Sequence, residues 1–181
     1  MTKIEALQKT IFNLENNVYE YKWTSSDSCN CGILSRTILG KSLYETDYYR
    51  NINCPMDNIG TFSESAKCLK TGLKMGEVFM ALRDCGFTFQ EIHELEHLSN
   101  PIIADLLGFD LREESTQSGE KFFVSHERTE KASVILYLKE WVKMLQAPTV
   151  TLTAYQPAIK EPVAQFVTYS KIVENLPVNA N

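Results

Sequence analysis

The chain lacks most of the patterns that announce an activity. Its 18 Lys and Arg residues are scattered against 23 acidic ones, and the net charge is −5. That distribution excludes the gathered positive footprint of a nucleic-acid or anionic-membrane binder. No uninterrupted apolar run is long enough to cross a bilayer, and "MTKIEALQKTIFNLENN" interleaves charges with its apolar residues, unlike the core of a secretory signal. A soluble, cytoplasmic protein is therefore expected. There is no C-x-x-C pair, no repeat and no low-complexity run. Only three histidines occur, and the five cysteines at 29, 31, 54, 68 and 85 are odd in number and irregular in spacing. This is not a secreted disulfide framework, so reduced thiols are expected.

What is present is helical. With 44% apolar residues, 181 residues suffice for one good core and an appendage. Ile4, Leu7, Ile11 and Leu14 recur at helical spacing, and Asn16-Asn17 ends that stripe. Ile33, Leu34 and Ile38 share a second face that Gly40 stops. Ser42 with Glu45, Thr61 with Glu64 and Thr88 with Glu91 fit capping boxes. Met75, Val78, Phe79 and Leu82 form a further stripe, and Pro101 opens a helix that Gly108 closes. "STQSGE" predicts a turn and "KFFV" a strand, ahead of a long helix with the stripe Val134, Leu138, Trp141, Val142 and Leu145. The expected class is mainly α: a compact bundle of short helices over residues 1–147, with a minor β element at "KFFV" and "TVTLTAY". Four of the six prolines lie beyond Gln146, so residues 148–181 read as an extended arm that wraps the domain, a partner or a second copy.

The features "YKW", "CNCGILS", "LEHLSNP" and "VILYLKEWVKML", spread over roughly residues 18–146, resemble a family of uncharacterised bacterial proteins. The resemblance implies no activity and no site residue.

Three stretches carry candidate chemistry. "HELEH", residues 93–97, fits H-E-x-x-H, in which two histidines one turn apart bind zinc and the glutamate activates water. The wheel through Phe89, Ile92, Leu95 and Leu98 places His93 and His97 on a solvated face instead, and Glu96 puts a charge where a packed helix would carry none. His126 or an acid would have to be the third ligand. "GFTFQEIHELEHL" resembles part of some helix-turn-helix regulators, but its acidic residues are poor footing for phosphates.

The third stretch, "SSDSCNCGILSRTILG" (residues 25–40), is the sharpest. Residues two apart share a side on extended chain and diverge on a helix, so a joint Cys29–Cys31 site requires "SCNCG" to lie in the loop or first turn, with Ser26, Asp27 and Ser28 offering cap oxygens. Cys29, Cys31 and Cys54 would then hold zinc or another thiophilic ion, with Cys68 or a histidine as fourth ligand. Alternatively Cys31, at a helix N-terminus with Arg36 near, is a reactive and partly exposed thiol. Its order relative to a strand and His126 resembles papain-like cysteine hydrolases, which would make His126 the base, although most of that fold's sheet is missing. A third account is plain packing beside Ile33 and Ile38. Two function classes follow: an interaction or accessory protein on a helical scaffold, favoured, and a cysteine-dependent enzyme or thiol or metal site centred on residues 29–32.

Overall fold

The computed structural model describes residues 1–24, 28–41, 74–116, 119 and 121–147. Among them the chain is mainly α, with helices α1 (Lys3–Glu15), α2 (Asn30–Leu39), α3 (Met75–Asp84), α4 (Phe89–His97), α5 (Pro101–Leu107) and α6 (Lys131–Gln146). A hairpin of β1 (Leu111–Ser115) and β2 (Lys121–Ser125) precedes a 3-10 turn, His126–Thr129. The boxes expected at Ser42 and Thr61, Cys54, Cys68, "TVTLTAY" and the arm all lie outside the described residues.

Local chemistry sets the boundaries. Thr2 caps α1 and Thr88 caps α4, each reciprocated by the glutamate three residues on, Glu5 and Glu91. Asn100 presents its side-chain oxygen to the backbone N–H groups of Ile102 and Ile103 at 3.1 and 3.2 Å, with Pro101 in the first helical position. Gly40 and Gly108 end α2 and α5 at φ 64° and 66°. Between α4 and α5 the left-handed position is held by Leu98 at φ 48°, with a fully buried side chain.

β1 is absent from the expected elements. "LREES" carries three charges and little apolar alternation, and it becomes a strand by pairing antiparallel with β2 from Leu111↔Ser125 to Ser115↔Lys121. Between the strands Gly119 N–H donates to Thr116 O at 3.0 Å, and residues 117, 118 and 120 of "STQSGE" lie outside the described residues.

α1 packs on α6 and α2, α2 on α3 and α4, α5 on α6, and α4 on β2. The expected stripes are the core: Leu7, Leu14, Ile33, Leu34, Val78, Leu82, Ile92, Leu95, Val134 and Leu138 are all buried. Phe89 and Leu145, placed in the α4 and α6 stripes from their spacing, are instead 39% and 37% exposed, while Tyr137 is buried. The tyrosine is accommodated because its hydroxyl donates to Glu94 O at 3.3 Å and accepts from Asn100 N at 3.0 Å.

Candidate metal centre

The start of α2 is built as the spacing argument requires. Cys29 is the N-cap, with extended backbone (φ −73°, ψ −179°), and Cys31 is the second helical residue. The extended cap lets the two side chains converge, with Sγ to Sγ at 3.7 Å. Ser28 does not serve as the cap, and the Cys29 side chain makes no capping hydrogen bond. A helix start has N–H groups without intrahelical partners, and one of these finds its acceptor far away in sequence. Cys31 N–H donates to Glu96 Oε2 at 2.9 Å.

Glu96, whose charge argued against a packed helix, is packed nonetheless. It has no exposed surface, and with Cys29 and Cys31 it forms a group of ligand atoms all within 4.8 Å of one another. All three residues are buried. The carboxylate stands at the positive end of α2, where the helix dipole favours negative charge. The wheel assumes one packed side, but α4 is covered by α2 on one flank and by β2 on another. Glu96 faces α2, where Cys31 N–H meets its carboxylate, and His97 faces β2, where Phe122 meets its ring.

The expected place of the "HELEH" histidines is corrected as well. His97 is only 3% exposed and His93 is half-buried. Their rings lie 4.5 Å apart, and Phe122 of β2 packs against both at 5.5 and 5.0 Å. They form a cluster of tilted and edge-on rings against Phe122 rather than a solvated face, and Glu96 beside them turns to the cysteines.

Cys31 is 3% exposed and Cys29 2%, so the partly exposed thiol expected at Cys31 is instead enclosed. His126 stands exposed on the 3-10 turn and is not in the ligand group. Arg36 sits in the last turn of α2 with its guanidinium 4.0 Å from the centre of the Tyr19 ring, at the opposite end of the helix from Cys31. Cys85, the other free thiol among the described residues, caps the end of α3, and desolvation pushes its pKa up.

Around the group runs a polar frame. Asn30, 2% exposed, donates its side-chain amide to the backbone oxygens of Glu96 (2.9 Å), Arg128 (3.1 Å) and Leu95 (3.3 Å). The Tyr21 hydroxyl points its proton at Asn30 Oδ1 (2.9 Å) and Arg128 O (3.0 Å). Burial pushes the Tyr21 phenol well above its usual range, and the charges of Glu96, Cys29 and Glu130 push it the same way. It is therefore a neutral donor at any physiological pH. The Arg128 guanidinium lies 5.5 Å from the centre of the Trp23 ring.

No family model matches the chain, and neither the curated proteins nor the solved structures contain a significant match to it. Among the described residues no helix is long and apolar enough to cross a membrane.

Proposed function

We propose that the chain is a helical accessory protein that binds a thiophilic divalent cation, zinc by class, between Cys29, Cys31 and Glu96. The observation that carries this reading is the convergence of two sulfurs and a carboxylate within 4.8 Å in a buried place. Two bonds of about 2.3 Å to a tetrahedral ion set their sulfurs about 3.8 Å apart, and the thiols stand at 3.7 Å. Two thiolates and a carboxylate bring three negative charges, which a divalent ion reduces to one beside the positive end of α2. Because the ligands are enclosed, the ion is a staple joining α2 to α4, and its binding energy adds to folding. The enzyme reading gains no support from an enclosed Cys31 and an exposed His126.

Elemental analysis of full-length protein purified without chelator tests the proposal. One zinc per chain is expected, lost in Cys31→Ser and weakened in Glu96→Gln. Metal-free protein, or zinc indifferent to both cysteines, overturns it.

The accessory role has separate support in large apolar side chains left in water, among them Phe12 at 59%, Met80 at 59% and Leu106 at 62% exposed. The residues 148–181 are proposed to cover a partner or a second copy; comparing the association state of the full chain with a version ending at residue 147 tests that.

A further inference from the structure

The sequence between the two thiols is a single asparagine, and its side chain is the most heavily engaged amide in the neighbourhood. Asn30 Nδ2 reaches three backbone oxygens, belonging to Leu95 and Glu96 in the last turns of α4 and to Arg128 in the 3-10 turn. Its oxygen accepts from Tyr21. The orientation of the amide follows from the partners, since three carbonyl acceptors demand the nitrogen and the hydroxyl donor takes the oxygen. With two N–H protons for three carbonyls one bond is shared, and the side chain is fully committed.

The effect is geometric. The cysteines are carried by the start of α2, and the carboxylate comes from α4, 65 residues later in sequence. Asn30 belongs to the first segment and grips the backbone of Glu96 itself at 2.9 Å. The same glutamate is held a second time through its side chain, by Cys31 N–H. A carboxylate fixed at both backbone and side chain loses little freedom on meeting an ion, and groups that orient ligands in this way contribute about ten- to a hundredfold to metal affinity. We propose that Asn30 is the positioning residue of the centre: it sets the affinity for a zinc-class ion by holding Glu96 against the two thiols, without touching the ion. C-N-C is then two ligands and the clamp that delivers a third. The inference rests on the metal-binding proposal above.

Zinc affinity of the full chain is measured by competition with a chromophoric chelator, and cobalt(II) serves as a spectroscopic probe of thiolate ligation. Asn30→Ser is expected to weaken zinc by about ten- to a hundredfold while cobalt keeps its sulfur-to-metal charge-transfer band. Glu96→Gln is expected to weaken zinc as well, and adding Asn30→Ser to it should cost little further, because the clamp acts through the carboxylate. A purely structural asparagine would lower the melting temperature in both backgrounds and leave the affinity of the folded protein where it was. Unchanged affinity in Asn30→Ser, or losses that multiply in the double variant, overturns the inference. Should Asn30→Ser not fold, Tyr21→Phe carries the test by removing the hydroxyl that orients the amide. Weaker zinc with intact charge transfer is then expected, and unchanged affinity overturns the inference. Failure of the parent proposal looks different: the unsubstituted chain takes up no zinc, or keeps it after Cys31→Ser.

Discussion

Glu96 and Tyr137 place polar groups in the interior, and in both cases the partner is backbone. A buried acceptor or donor left alone costs about 1–3 kcal/mol, more than a typical hydrogen bond contributes. Tyr137→Phe is therefore expected to destabilise the chain by about 1–3 kcal/mol at pH 8, since Asn100 N–H loses its acceptor. The same residue makes a pH prediction. Burial first, and the Glu94 charge second, hold the Tyr137 phenol well above its usual value. Above pH ~10 an unfolded tyrosine ionises while this one stays neutral, so the stability it confers is complete below that pH and is lost as pH rises further. Melting temperatures from pH 8 to 11 should fall more gently in Tyr137→Phe than in the parent, and parallel curves would contradict the assignment. At His93 no effect on metal is expected: the ring belongs to the cluster with His97 and Phe122, so the proposed zinc should survive His93→Ala. Zinc lost on that change would return the centre to "HELEH".

Element boundaries are the most legible feature, because they depend on a few adjacent residues. Thr88 with Glu91 reads as a helix start in any context, and Thr88→Ala should cost about 1 kcal/mol by thermal or denaturant unfolding. Leu98 is a contrast. It occupies a left-handed position that costs a non-glycine residue about 1–2 kcal/mol, which argues for glycine there. Its side chain is fully buried, however, and losing such a leucine costs about 2–5 kcal/mol. Burial outweighs strain, so Leu98→Gly is expected to destabilise despite relieving the backbone; a more stable variant would show the strain to dominate. β1 is illegible for a related reason: nothing within "LREES" favours a strand, and the pairing with β2 supplies the hydrogen bonds that make it one.

At the scale of the whole molecule the proposed ion joins segments distant in sequence, and its removal should be felt globally. An ion present at a thousand times its dissociation constant stabilises the state that binds it by about 4 kcal/mol. Adding a chelator to the full chain should therefore lower the melting temperature, and Cys31→Ser should be insensitive to the same chelator. Equal melting curves with and without chelator would remove the staple.

Periodicity and capping chemistry account for the mainly α class and for most of the stripes of α1, α2, α3 and α6, and the two-residue spacing states what a joint Cys29–Cys31 site would require. Each depends on neighbours within a turn or two, and such information is written locally in the chain. The third residue of the proposed centre is not. The charge of Glu96 argues against packing, and a helical wheel knows one buried side, whereas α4 is covered by both α2 and β2. The enclosure of Cys31, the packing of His93 and His97 against Phe122 and the grip of Asn30 on the Glu96 backbone arise in the same way. They are contacts between segments tens of residues apart, and only the packing of the elements brings them into existence.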